Sequence, residues 1–318
     1  MGTLPALRSL LDPAALEDHV RRAWGLPRTG RCFLLRSLVN DVYRLQTGAG
    51  GAVLKVYGRA RTSDEAAWEA DLVGHLRRQG VPTPEVLPLP GGGAVSVVAA
   101  PEGERAMVLL RASTGRKPAP PFAPDLRRAY GAMAARFHLA AAGLRSAHGR
   151  PSLEIDAILE RTLPTVLDAL RSRPRDGDMV AALVDRVRNH LDSLGQLEHG
   201  LLWGDVSLDN LHLLDDGSIE IHDFDAAGRG PLAADLWGPR LGQDWPSFLD
   251  GYRSVRPLEG RELEAVDWMV VPQVVANMEF RLGRLPSWRG ELEVPPGSIE
   301  AELETLRGWA REVLGIAA

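Results

Sequence analysis

The chain has 318 residues, 45% hydrophobic and 25% charged, with a formal net charge of −5 at neutral pH. That size is ample for one large core or two moderate ones, and the composition excludes a disordered chain, while no apolar run of about 18 residues exists to cross a bilayer. A single cysteine, Cys32, excludes an internal disulfide framework, and the acidic balance argues against a protein that coats nucleic acid.

In chain order, MGTLPALRSLLDPAALEDHV lacks a basic segment followed by a long apolar stretch, so no signal peptide and a cytoplasmic location are expected. Asp12 and Pro13 read as an N-cap and first helical residue, opening a helix through about Trp24. Leu34 to Val39, Val42 to Gln46 and Ala52 to Tyr57 are short apolar or β-branched runs expected as strands. The glycines of TGAGG, Gly48 to Gly51, fit the hairpin turn between the second and third. Thr62 to Glu65 is a capping box, T-x-x-E, opening a helix that ends near Gly80, with Pro82 beyond. Two more strands are expected at Val95 to Ala99 and Met107 to Leu110.

The stretch from Ala112 to Pro124 carries four prolines and Gly115, as a crossover between domains would. Helical periodicity follows at Leu126 to Leu144, Ile155 to Leu170, Met179 to Leu194, Gly260 to Leu282 and Ser298 to Leu314, interrupted by one strand pair around 210 to 224. The expected fold class is α+β: a small antiparallel sheet with one main helix over residues 1–111, then a larger helical part over 112–318.

The most informative segment is LLWGDVSLDNLHLLDDGSIEIHDFD, Leu201 to Asp225. Asp216-Gly217 is a favoured two-residue hairpin turn. In that register Leu213 faces Glu220 and Asn210 faces Asp223, so an amide oxygen and a carboxylate sit about 5 Å apart at Cβ. Such a pair can grip one hard cation. Asp205, five residues before Asn210, can address the same place, and Asp225 can share the face and metal of Asp223.

WGDVSLDN followed by HDFD resembles the catalytic loop and metal-binding strand of the aminoglycoside phosphotransferase family, distantly similar to protein kinases. Family members usually read H-G-D-x4-N and then I-D-[FW]-[DE]; Trp203 stands here where the family has His, and an indole offers only an N–H donor. The resemblance implies a two-lobed kinase-like fold with a nucleotide-binding lobe over 1–111 and a catalytic and substrate lobe over 112–318. It implies that Asp205 orients and accepts the proton of the substrate hydroxyl, and that Asn210 and Asp223 hold Mg2+, with Asp225 the further ligand that its place on the strand offers. It also implies an aspartate at 235 that braces the catalytic loop.

Of the 37 Lys and Arg residues only two are lysines, Lys55 and Lys117. Lys55 lies on the third strand, where the resemblance implies a lysine on the ATP phosphates, held by a helix glutamate. Glu69 fits that glutamate better than Glu65. Lys117, in the proline-rich crossover, reads as a surface residue. Neither a Walker motif nor the protein-kinase glycine loop is present. The turn S-L-V-N-D-V-Y, with Ser37 and Asn40, is the expected phosphate cover, and the backbone around Leu110 the expected adenine edge.

The reading is therefore an ATP- and Mg2+-dependent kinase acting on a hydroxyl of a small antibiotic- or metabolite-like molecule, with no nucleic-acid or membrane partner. Its alternative is a kinase of peptide or protein Ser/Thr, and beyond that a nucleotide-binding pseudokinase. Asp244, Trp245, Asp250, Trp268, Glu279 and Arg281 are candidates for substrate contact.

Overall fold

A computed structural model describes residues 4–27, 30–47 and 50–316. The first elements are α1 (Pro13–Trp24), β1 (Cys32–Ser37), β2 (Asp41–Thr47), β3 (Gly50–Val56), α2 (Ser63–Arg78), β4 (Val95–Ala100) and β5 (Gly103–Arg111). They are followed by α3 (Pro124–Ala141), α4 (Ile155–Ala169), α5 (Pro174–Ser193), β6 (His199–Leu202), β7 (Leu211–Leu213), β8 (Ile219–Ile221) and β9 (Gly228–Pro231). The chain closes with α6 (Trp237–Leu241), α7 (Trp245–Arg253), α8 (Gly260–Glu279), α9 (Leu285–Arg289) and α10 (Ser298–Glu312). The fold is α+β, as expected.

Two compact units result, the first of residues 1–122, 139–150 and 208–225, the second of 123–138, 151–207 and 226–318. In the first, the antiparallel sheet has the order β1-β2-β3-β5-β4. Helix α1 begins where Asp12 accepts the N–H groups of Ala14 and Ala15, both at 2.9 Å, and stops at Gly25, whose φ of 64° suits glycine. Its Leu16, Val20 and Trp24 pack on Tyr43, Leu45, Leu54, Val56, Met107 and Leu109, one face of the sheet. Each such buried side chain contributes about 1.5–3 kcal/mol.

The opposite face is set by register. Val42 pairs with Lys55, Lys55 with Val108, and Val53 with Leu110. Opposed residues share a face, so Lys55, Val53 and Leu110 lie together. Helix α2 covers part of this face through Ala66 and Ala70 on Tyr57, Ala106 and Val108. Both halves of the Thr62–Glu65 capping box are formed. β1 starts and ends two residues earlier than expected, because Leu38 to Asn40 make the turn, with the Leu38 N–H donating to the Asn40 carbonyl at 3.1 Å. Of the TGAGG turn, residues 48 and 49 lie outside the described residues.

The second unit packs α4, α5, α8 and α10 around Leu159, Val166, Leu183, Val187, Val271, Val275, Leu303 and Leu306. The helix expected to reach Leu282 ends at Glu279 and continues as a π-helical turn, Phe280–Arg284. Besides the expected strand pair, β6 pairs with β9 in a second small sheet. Gly228-Arg229-Gly230-Pro231 has no strand former, so β9 is held by its neighbours rather than by propensity.

The hairpin register requires a correction. Leu211 pairs with Ile221, His212 with Glu220 and Leu213 with Ile219, one residue from the expected register. Leu214 N–H donates to the Ser218 carbonyl at 2.9 Å, and Gly217 has φ 82°, so the loop is the three residues Asp215-Asp216-Gly217. A three-residue turn with glycine in the left-handed region won over the two-residue one. Asn210 thus faces His222, whose N–H it accepts at 3.0 Å, and Asp223 comes one residue later.

Candidate active site

Lys55 is nearly buried on β3, and its Nζ lies 2.8 Å from Glu69 Oε1 of α2. Asp223 Oδ1 and Asp225 Oδ1 are 3.4 and 3.5 Å from the same nitrogen. Burial works against the ammonium, but Glu69, Asp225 and Asp223 more than offset it, and its pKa stands well above that of an ordinary lysine. Glu65, the other candidate, is engaged in the capping box and with Arg61 at 2.9 Å.

Asp223 follows the end of β8 with a φ of 62°, a left-handed conformation costly for a non-glycine residue. Its side chain is 44% exposed, whereas that of Asp225 is 16% exposed. Arg61 and Arg150 both donate to the Asp225 carbonyl, at 2.6 and 2.7 Å, and Arg150 also reaches the Phe224 carbonyl at 3.0 Å. Burial pushes the Asp225 carboxyl up, but Lys55, Arg61, Arg150 and a hydrogen bond from Asn40 hold it below the usual carboxylate range. Its Oδ1 is nevertheless buried without a hydrogen-bond partner. It faces Lys55 at 3.5 Å and Arg61 at 3.7 Å, and an anionic oxygen without a hydrogen bond suits a closer cation. Among the described residues no three His, Cys, Asp or Glu side chains form a metal cage. The donors in this stretch are two carboxylates and the amide of buried Asn210.

The turn after β1 is braced from beneath. Buried Asp41 pairs with Arg105 at 2.9 Å and Arg8 at 2.5 Å, and accepts the Ser37 hydroxyl at 2.7 Å. The Ser37 side chain therefore belongs to this ion network. Asn40 Oδ1 accepts the Gly58 N–H at 3.0 Å. At the end of β5, Arg111 N–H donates to Glu85 and Ala112 N–H to Gly51, while Leu110 shares the Lys55 face. A concavity of about 330 Å³ on the sheet is lined by Phe33, Leu35, Arg44, Gln46, Gly50 and Gly51.

In the second unit, Asp205 is exposed in the loop after β6. Gly204 before it has φ 84°, and a Cβ there would sit 2.1 Å from the Ala226 carbonyl oxygen, so only glycine fits. Buried Asp235 accepts the N–H groups of Trp203 and Gly204, each at 2.7 Å, and His138 Nε2 at 3.0 Å. The other ring nitrogen, His138 Nδ1, lies 2.8 Å from the Tyr252 hydroxyl, which also accepts from Arg256 at 2.9 Å. Trp203 is fully buried against Tyr130 and Phe137. The ten residues after Asp225 are used up in β9 and a buried 3₁₀ turn, Leu232–Leu236.

Residues 34–256 match the family model described as "Phosphotransferase enzyme family". The chain belongs to that family. It is a kinase-type phosphotransferase with an alcohol group as acceptor. The phosphotransferase is 26% identical to a homoserine kinase of Xanthobacter autotrophicus over 82% of this chain and 80% of the relative. Its fold is that of a microcompartment-associated aminopropanol kinase, at TM-score 0.75, 22% identity and coverage of 95% of this chain and 98% of the other. It is also that of an amicoumacin kinase in complex with AMP-PNP, Ca2+ and Ami, at TM-score 0.75 and 18% identity, covering 95% and 94% of the two chains.

Among the phosphotransferase's substrate candidates, each side chain is engaged locally. Asp244 caps α7, Trp245 stacks on Phe248, Asp250 pairs with Arg128, Trp268 stacks on His190, Glu279 pairs with Arg284 and Arg281 with Glu302. Sequence reading missed Arg61 and Arg150, whose partners lie far along the chain. Lys117 is exposed, as expected, but nothing in the sequence signalled that it donates to the Asp209 carbonyl and lies 3.1 Å from His222 Nε2. Burial, then Lys117 and His212, push the His222 imidazole down to about 3. Among the described residues no helix is long and apolar enough to cross a membrane.

Proposed function

We propose that the protein is an ATP-dependent kinase that moves the γ-phosphate to a hydroxyl of a small molecule. The observation that carries this is the Lys55 cluster, one buried ammonium fixed by Glu69 at 2.8 Å with Asp223 and Asp225 within 3.5 Å. Phosphoryl transfer asks a protein for positioning and charge compensation rather than covalent chemistry. Lys55 binds the phosphates as a compact point charge, and Glu69 keeps it from collapsing onto the two aspartates. Arg61 and Arg150 hold the backbone that carries Asp225. The turn around Asn40 presents backbone to the phosphates, with Ser37 bracing it, and Leu110 lines the base site.

When bound, Mg2+ held by Asn210, Asp223 and Asp225 neutralises charge on the transferring group. Asp205 orients the acceptor hydroxyl and takes its proton. Dependence on ATP accords with a cytoplasmic enzyme. The small-molecule reading is supported by relatives and neighbours whose names specify homoserine, aminopropanol and amicoumacin.

Asp205→Ala is expected to lower turnover by roughly 10²–10⁴ while leaving Mg·ATP binding intact; unchanged turnover removes Asp205 as the base. The acceptor is tested by a γ-phosphate transfer screen over amino alcohols, aminoglycosides, nucleoside antibiotics and Ser/Thr peptides. Transfer to a small molecule is expected, and transfer to peptides alone would overturn the reading.

A further inference from the structure

Both lysines of this arginine-dominated chain contact the same short stretch, residues 209–225. Asn210 and Asp223 are each preceded by a residue that contacts Lys117: the Asp209 carbonyl accepts from its Nζ, and His222 Nε2 lies 3.1 Å away. The contact is built rather than incidental. Arg116 and Leu213 exchange two backbone hydrogen bonds, at 2.9 and 2.8 Å, which zip this segment onto β7. Gly115 permits the approach, since a Cβ there would sit 2.8 Å from the Leu213 carbonyl oxygen and 2.9 Å from His212 Cβ.

The two ammonium groups differ in their direct contacts, although the Asp223 carboxylate acts on both. Lys55, Arg61 and Arg150 share their ion pairs with Glu65, Glu69, Asp223 and Asp225, so three cations meet four carboxylates. By itself that cluster carries no surplus positive charge, so a further cation beside it would help hold a polyanion. Lys117 instead touches two neutral acceptors, a carbonyl and an imidazole nitrogen. An ammonium accepts no hydrogen bond, so Nε2 must be the unprotonated acceptor. One of its three N–H donors remains after these two contacts, and the side chain is exposed. We propose that Lys117 is a second phosphate-binding cation of the nucleotide site, adding its charge to that of Lys55 on the polyphosphate of ATP.

The assignment rests on the kinase reading above, and the test separates the two. Calorimetry on the full chain compares Mg·ATP and adenosine for the wild type, Lys117→Met and Lys117→Arg. Lys117→Met should weaken Mg·ATP about tenfold or more, the worth of one charge-assisted hydrogen bond. Adenosine affinity should be unchanged, and Lys117→Arg should recover part of the loss. Mg·ATP affinity within about twofold of wild type in Lys117→Met overturns the assignment, as does equal weakening of adenosine and Mg·ATP. A wild type that binds no Mg·ATP overturns the kinase reading itself.

Discussion

Asp235 is the residue whose removal tests the architecture of the catalytic loop most directly. It is 3% exposed and accepts three N–H groups, from Trp203 and Gly204 at 2.7 Å and from His138 at 3.0 Å. In Asp235→Ala all three donors lose their acceptor, at about 1–3 kcal/mol for each buried group left unmade. The sum is about 3–6 kcal/mol once partial relaxation is allowed, a large share of the roughly 5–15 kcal/mol that stabilises a domain. Asp235→Asn keeps one acceptor oxygen but turns an amide N–H toward a donor, and should cost about 1–3 kcal/mol. Urea unfolding followed by tryptophan fluorescence measures both, with Trp203 as one reporter. Turnover should fall in both variants, because the Gly204 backbone that presents Asp205 loses its anchor. A loss below about 1 kcal/mol for Asp235→Ala, or equal losses for the two variants, would refute this reasoning.

Arg150 donates to the carbonyls of Phe224 and Asp225 at 3.0 and 2.7 Å and lies 3.6 Å from Glu69. Arg150→Met should lower kcat/KM about tenfold or more, and Arg150→Lys should not restore it, since a single ammonium nitrogen cannot hold the Phe224 and Asp225 carbonyls and reach the Glu65 carbonyl that the second guanidinium nitrogen takes at 3.4 Å; an unchanged kcat/KM in the steady state would contradict the clamp. The pH dependence of stability should carry the signature of Asp41. Burial opposes its ionisation, but Arg105, Ser37 and Arg8 bring its carboxyl below the usual range. A depressed folded pKa stabilises above the unfolded value of about 4 and is lost as pH falls through the folded one. Asp41→Asn should therefore be less stable at pH 7 and show a flatter acid limb in urea midpoints taken down to pH 3; an unchanged acid limb would exclude Asp41 as its source.

Elements with local chemistry were legible in the sequence. Asp12-Pro13 and Gly25 bound α1, and Thr62 with Glu65 opens α2, because cap hydrogen bonds depend on neighbours within a few residues. The ends of β1 were not, since Phe33, Leu34 and Leu35 are all exposed and offer no alternation. Asp216-Gly217 is compatible with both a two- and a three-residue loop, and only the packed hairpin selects one. Family resemblance supplied Lys55, Glu69 and the aspartates, and the structure draws Lys55, Glu69, Asp223 and Asp225 into one cluster. Lys117 illustrates the limit: its partners are 92 and 105 residues away, so nothing around position 117 announces them.

The placing of Arg61 and Glu69 has a mechanical consequence. Arg61 precedes the cap of α2 and grips the Asp225 carbonyl, while Glu69 grips Lys55 two turns into the helix. The two attachments are eight residues apart, and the helical part between them, Ser63 to Glu69, rises about 9 Å at 1.5 Å per residue. A rod fastened at one point can pivot, but a rod fastened at two can swing out only by breaking both fastenings together. Helix α2 is thus a fixed wall rather than a lever, and a compound that needs an outward-swung helix to open its pocket should find no purchase on this enzyme.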